Sequence, residues 1–297
     1  MQTTETPSGQ HPDLDQYGTL ELIRAFTEDQ VRAANVVHAV APQLARAVEA
    51  AVPRIAAGGR LIYVGAGTSG RLGVLDSVEL FPTFSWPKER ALALLAGGKD
   101  AMYEAVEGAE DDQAQGAADL RALNPTPNDV CLVLAASGTT PYALGALEAA
   151  SGAGALTIGI ANNPDVPVTT QAEVGITIAT GSEVISGSTR LKAGTAQKIV
   201  LNTLTSAIMV RLHKVHGNLM VDLRPTNAKL QRRAVALTMR ATGSDEATAR
   251  RTLEACQYRV KVAIVTILRQ TDVTAAQAAL DAVGGSVRQA LAGAKSP

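Results

Sequence analysis

Apolar residues recur at helical spacing from Thr19 to about Ala57: Leu22, Ile23, Phe26, Val31, Val36, Val37, Val40, Leu44, Val48, Val52 and Ile55, with Gly58-Gly59 as the stop. Two or three helices are therefore predicted ahead of the first strand, Arg60 to Val64, which runs into the glycine-rich stretch Gly65 to Gly70. From there the pattern changes to short, nearly continuous apolar runs at Ala91 to Leu95, Val130 to Ala135, Leu156 to Ile160 and Val174 to Ile178, each bounded by Gly, Asn, Asp or Pro. Ala-rich stretches at Ala101 to Val106, Asp112 to Ala122 and Tyr142 to Ala150 read as the helices between most of them. Apolar strands separated by helices predict an α/β fold: three layers, α-β-α, around a mostly parallel sheet of five strands. Ligands of such sheets sit beyond the carboxyl ends of the strands, which singles out the loops Gly65 to Ser69, Ser137 to Thr140 and Asn162-Asn163-Pro164.

The first dozen residues, polar and broken by Pro7, Gly9 and Pro12, read as a mobile arm. A long helix is expected from about Thr189 to His213, with Gly217 and Pro225 as punctuation after it. Beyond Ala241 the pattern shortens. Thr274 with Gln277 and Ser286 with Gln289 fit capping boxes, and Gly284-Gly285 separates them, as in a small three-helix unit. The expected division is an arm with helices over 1–57, a sheet domain over 58–240 and a helical C-terminal domain over 241–297.

Charge and composition narrow the ligand. With 27 Lys+Arg against 28 Asp+Glu, no basic excess marks a nucleic-acid surface. Three Phe, five Tyr and one Trp are too few for base-stacking platforms or an aromatic sugar groove. Recognition is left to hydroxyls, backbone amides and a few charges. Cys131 and Cys256 lie in apolar stretches and read as buried free thiols, so neither a disulfide nor a metal knuckle is expected. No apolar run approaches a membrane span and the start, Met1 to Gly9, has no leader character, so a cytoplasmic protein without membrane contact is expected.

Gly65-Ala66-Gly67-Thr68-Ser69-Gly70 matches the glycine pattern of dinucleotide sites, but the second strand ends Leu94-Leu95-Ala96-Gly97-Gly98, without the ribose-binding acid. What remains is a turn with exposed amides and the hydroxyls of Thr68 and Ser69 at a helix start, a cradle for an anion. Ser137-Gly138-Thr139-Thr140 adds three hydroxyls after the third strand, and two such loops at one sheet edge favour a phosphate monoester. Asp76 and Glu79, three apart, and the cluster Glu104, Glu107, Glu110, Asp111 and Asp112 supply carboxylates. His213 and His216 lack the acidic or thiol neighbours of a metal site and suit helix-end carbonyls.

Several of these stretches together resemble the sugar isomerase (SIS) fold family and, within it, the N-acetylmuramic acid 6-phosphate etherases. The matching residues are Gly58 to Asp76 (GGRLIYVGAGTSGRLGVLD), Glu79 with Pro82-Thr83-Phe84, Ala105 to Asp111 (AVEGAED), Ala135 to Gly138 with Thr140-Pro141-Tyr142, Gly187 to Lys198 (GSTRLKAGTAQK) and Gly217 to Asp222 (GNLMVD). The similarity runs from about Leu14 through the C-terminal helices. It implies a homodimeric lyase without metal or cofactor that acts on a small sugar phosphate in cell-wall recycling. By motif position Glu79 matches the acid that protonates the departing lactate oxygen, and Glu110 the base at C2. Gly67, Thr68, Ser69, Ser137, Gly138 and Thr140 match phosphate- or sugar-holding positions, with Glu183, Ser188 and Lys192 as further substrate neighbours. The chain departs from the family at Thr139, where Arg is usual, at Leu80-Phe81, where Cys-Pro is usual, and at His216, where Tyr is usual. Two other functions fit the same fold: a non-catalytic sugar-phosphate sensor like glucokinase regulatory protein, and an aldose–ketose isomerase. The presence of both acids favours catalysis over the sensor, whereas an isomerase also needs a carboxylate base at C2, so Glu110 alone does not exclude it.

Overall fold

Pairs of helices and strands follow the predicted order in the computed structural model, which describes residues 2–225 and 227–293. Helices α1 (Thr19–Ala39) and α2 (Ala41–Ala56) precede strand β1 (Leu61–Gly65), and α3 (Gly67–Phe84) starts at the glycine turn. Then come β2 (Ala91–Leu95), α4 (Gln113–Ala122), β3 (Val130–Ala135), α5 (Pro141–Gly152), β4 (Leu156–Ala161), the single turn α6 (Pro167–Thr170), β5 (Val174–Thr177) and α7 (Lys192–Arg211). The chain divides into two compact units, residues 1–78 with 88–206, and residues 79–87 with 207–297.

The first unit holds the sheet, all parallel, in the order β2-β1-β3-β4-β5. Strands β1, β3 and β4 are buried along their whole length, which is why they read as continuous apolar runs. Side chains alternate across the pleat: Ile62, Val64, Cys131, Val133 and Ala135 pack with Leu120 of α4 and Tyr142, Ala143 and Ala146 of α5. Helix α2 packs on β3, β4 and β5. Asp129, ahead of β3, accepts bonds from the Arg60 backbone N (2.8 Å), Nε (3.0 Å) and Nη2 (2.7 Å), tying the starts of β1 and β3 together. Burial pushes its carboxyl pKa up, but the hydrogen bonds from Arg60 and the Thr126 amide outweigh burial and hold it below the ordinary value.

Helices α4 and α5 touch through two glycines. A Cβ on Gly116 would lie 2.0 Å from the Tyr142 carbonyl oxygen, and one on Gly145 would lie 1.9 Å from that of Gln113. Backbone meets backbone at both points, with no room for any side chain.

The second unit contains the hairpin of β6 (Val215–His216) and β7 (Leu219–Met220), then α8 (Ala228–Thr242), α9 (Glu246–Ala255), α10 (Val260–Arg269), α11 (Val273–Asp281) and α12 (Val287–Ala292). Its own core includes Val235, Leu253, Val260, Ile264, Leu280 and Val287. Among the described residues four helices stand beyond Ala241 where three are expected, because Asp245 starts an extra one by accepting from Thr248 N at 2.6 Å. Ser286 caps α12 as expected, accepting from Gln289 N at 3.3 Å. Thr274 does not cap α11. Gln270 ends α10 in the left-handed region (φ 50°), so the next helix restarts earlier, at Asp272, which accepts from Ala275 N at 2.8 Å. His216 lies in the hairpin and not at a helix end.

Two further expectations change in the first unit. Ala101 to Val106 forms only a 3-10 turn, Asp100–Met102, and then irregular chain, because Arg71 takes the carbonyls of Ala101 (2.8 Å) and Glu104 (3.1 Å) that a helix would use. Residues 2–6 are docked rather than loose: Thr4 is fully buried and bonded to Asn163. Both cysteines are buried and free, and burial pushes the Cys131 thiol up to about 12. Among the described residues no helix is long and apolar enough to cross a membrane.

Candidate functional site

The strand order reverses between β1 and β3, and the crevice at the carboxyl ends of these two strands is where this topology places a ligand. An open cleft of roughly 340 Å³ lies there, lined by Ala66, Gly67, Thr68 and Ser69 after β1 and by Ala136, Ser137, Thr139, Thr140 and Pro141 after β3. Ala135, Glu110, Asp111, Thr189 and Glu5 complete it. Its volume suits a small phosphorylated sugar, and no Lys or Arg is among these lining residues.

The loop after β3 turns at Gly138, whose φ of +78° and whose closeness to Val166 (2.1 Å from a Cβ to Cγ2) leave no alternative residue. Thr140 stands at the N-cap of α5, yet its side chain makes no capping bond; Oγ1 lies 3.4 Å from Ser137 Oγ instead. The usual explanation of such hydroxyls, helix capping, therefore fails for Thr140. With Pro141 at the first helical position, the loop presents hydroxyls beside the positive end of a twelve-residue helix, an arrangement that attracts an anion.

Ser69 plays a different part. Asn162 must turn its Nδ2 toward the carbonyls of Ile178 (3.5 Å) and Ala193 (3.4 Å), so its Oδ1 accepts from Gln197 Nε2 at 3.0 Å. Gln197 then has only Oε1 left for Ser69, whose hydroxyl donates to it at 2.9 Å. The Ser69 proton is thus committed inward, and toward the cleft it offers lone pairs. These suit a ligand hydroxyl and not a phosphate oxygen.

The base candidate sits on a short 3-10 turn, Ala109–Asp111, which follows Gly108 (φ 73°) and leads into α4 through Asp112. Asp112 caps α4 by accepting from Gln115 N at 2.8 Å. Glu110 is exposed and also lines an adjoining cleft with Arg71 and Glu107. Arg71, through the two carbonyls it holds, fixes the segment that delivers Glu110.

Of the residues expected from the sequence, Gly67, Thr68, Ser69, Ser137, Thr140 and Glu110 line the cleft, with Gly138 buried beneath. Glu79 is exposed on α3, within the second unit, and is not among the lining residues. Glu183 and Lys192 are buried structural partners: Glu183 accepts from Lys192 N (3.0 Å) and Ala193 N (2.8 Å), capping α7, and Lys192 Nζ meets Asp29 Oδ1 (2.8 Å) and the Ser182 carbonyl (2.6 Å). Burial pushes the Glu183 carboxyl up despite those two amides. Ser188 lies in the turn before α7, and it is its neighbour Thr189 that reaches the cleft. Asp76 is buried against Tyr63, whose hydroxyl donates to it at 2.9 Å. Sequence reasoning missed Thr189 and Glu5. Thr189 adjoins a matching motif residue, whereas nothing in the polar N-terminal stretch signals Glu5.

Residues 43–151 match the profile of the glucokinase regulatory protein N-terminal SIS domain, and residues 110–207 that of the SIS domain. The chain is similar to the N-acetylmuramic acid 6-phosphate etherase of Deinococcus radiodurans, with 54% identity over 97% of this chain and 94% of the relative. A protein of the same name from Pectobacterium atrosepticum is 47% identical over 98% of this chain and 96% of its own length. Among solved structures, one from Bacteroides fragilis described as a phosphosugar isomerase involved in capsule formation superposes with a TM-score of 0.51, at 23% identity, over 68% of this chain and 95% of the other. At that identity the likeness concerns the fold alone.

Proposed function

The chain belongs to the family of N-acetylmuramic acid 6-phosphate etherases, and from that premise we infer that its cleft converts N-acetylmuramic acid 6-phosphate and water to N-acetylglucosamine 6-phosphate and D-lactate. The observation that carries this reading is one cleft holding a carboxylate, Glu110, together with a hydroxyl loop at a helix N-terminus. Ring opening exposes a C1 aldehyde that acidifies the C2 proton. Glu110 removes that proton to leave an enolate delocalised onto the C1 oxygen, whose electron pair then forms the C2–C3 double bond as the C3–O bond breaks. Glu79, by its motif position, protonates the departing lactate oxygen. Water then adds at C3 of the unsaturated aldehyde and C2 regains a proton. Purified protein incubated with N-acetylmuramic acid 6-phosphate should release D-lactate. Ketose phosphate formed from an aldose phosphate, with no lactate, would favour the isomerase instead.

The inward commitment of the Ser69 proton divides the hydroxyls. Thr140→Val is expected to weaken binding of inorganic phosphate several-fold, the size of one hydrogen bond, whereas Ser69→Ala leaves phosphate binding unchanged and weakens only the sugar phosphate. Calorimetric titration with both ligands checks this, and equal losses in the two variants would reject the division.

The reading also makes the protein a cytoplasmic homodimer. Leu20, Ile23 and Val31 of α1 are 64%, 56% and 61% exposed, and all three fall on one side of the helix. Light scattering should give twice the 30.7 kDa chain mass, and charged substitutions at these three positions should halve it. A monomer mass for the unaltered protein counts against the dimer.

A further inference from the structure

Short polar segments with little regular secondary structure are ordinarily poorly ordered, because few contacts repay the entropy of fixing them. Residues 2–6 depart from this. Asn163 has four hydrogen-bonding capacities in its side chain, and three go to this segment: Oδ1 accepts from Thr3 Oγ1 (2.8 Å) and Thr4 N (3.2 Å), and Nδ2 donates to Thr4 Oγ1 (2.9 Å). The fourth goes to the carbonyl of Ala136, in the lining of the cleft (3.0 Å). Gln2 Nε2 donates to Thr139 Oγ1 (3.0 Å) and Ser182 Oγ to the Thr3 carbonyl (3.4 Å). The segment is thus a strap laid from the phosphate loop toward the loop before α7.

What the strap delivers is a carboxylate. Glu5 lines the cleft, and its Oε2 lies 3.2 Å from where a Cβ on Gly187 would stand, two positions before Thr189. No cation is among the lining residues to pair with it, and its side chain is exposed to the cleft. A carboxylate accepts hydrogen bonds and repels phosphate, so its partner in the cleft is a neutral donor.

We propose that Glu5 is a substrate-contacting residue, accepting hydrogen bonds from the hydroxyl-bearing carbon chain of the sugar phosphate, and that Thr3, Thr4 and Asn163 are positioning residues that hold it there. The proposal rests on the sugar-phosphate reading of the cleft but not on lactate chemistry.

The test is calorimetric binding of N-acetylglucosamine 6-phosphate and of inorganic phosphate to the full chain, wild type and variants, beside lactate-release kinetics. Glu5→Ala should weaken the sugar phosphate at least tenfold, the size of a hydrogen bond to a charged group, and leave inorganic phosphate within twofold. Thr4→Val, which keeps the buried shape and removes the acceptor for Asn163, should reproduce the loss, and the double variant should be no worse than Glu5→Ala alone. In the kinetics the loss appears chiefly in KM. A Glu5→Ala affinity for the sugar phosphate within twofold of wild type would overturn the proposal, as would an equal loss for inorganic phosphate, the mark of a merely structural strap. Wild-type protein that shows this Glu5-dependent binding but releases no lactate would uphold Glu5 and reject the etherase reading.

Discussion

Glu110→Gln is expected to abolish lactate release, with kcat falling 10²- to 10⁴-fold and sugar-phosphate binding retained, because the amide keeps the shape of the carboxylate and loses only its basicity. The same variant should lose exchange of the C2 proton with deuterated solvent, since nothing else is assigned to remove it. Glu79→Gln provides the contrast. If its role is to protonate the leaving oxygen, it stops lactate release and leaves C2 exchange running, because carbanion formation precedes departure of the lactate. Deuterium incorporation followed by NMR, alongside a lactate assay, reads both steps. Exchange that survives in Glu110→Gln and vanishes in Glu79→Gln would interchange the two roles; full turnover in either variant would remove that residue from the chemistry.

The second large effect is structural. Gly145→Val is expected to destabilise the protein by about 3 kcal/mol or more, since its Cβ would fall 1.9 Å from the Gln113 carbonyl oxygen and only separation of α4 from α5 could relieve it. That corresponds to a fall in melting temperature of roughly 6–12 °C. Activity should fall further than stability explains. Glu110 and Asp111 stand just before α4 and the hydroxyl loop just before α5, so prising the helices apart alters the distance between the base and the phosphate loop. Gly152→Ala, on the same helix with nothing within 4 Å of its Cβ, serves as the control. A melting temperature for Gly145→Val within about 2 °C of the control would show that the helices are not held by this contact.

The central strands were legible because they are buried on both faces, so Val130 to Ala135 and Leu156 to Ile160 carry a continuous apolar signal. The glycine turn and the hydroxyl loop were legible for a related reason: their residue types are dictated by backbone geometry within a few positions. Segments settled by distant partners were not. Ala101 to Val106 has helix-favouring composition, but Arg71 competes for its carbonyls. Lys192 and Glu183 sit in a motif that resembles substrate-binding residues, and only the fold reveals that Asp29 and the start of α7 occupy them. Thr3-Thr4-Glu5 has the composition of a loose tail, and its partner Asn163 lies about 160 positions away, too far for any local pattern to record.

That separation has a kinetic side. The strap's side-chain bonds to Thr139, Asn163 and Ser182 span 137 to 179 positions, among the longest-range pairings in the first unit. Loop closure over such lengths costs little more than over half the distance, about 0.6 kcal/mol per doubling, so the arrangement weighs lightly on equilibrium stability. It weighs on the order of events. Residues 2–6 can take their places only after the turn at Asn162-Asn163 has been synthesised and β3 and β4 have paired, so a segment made before the sheet is among the last to settle.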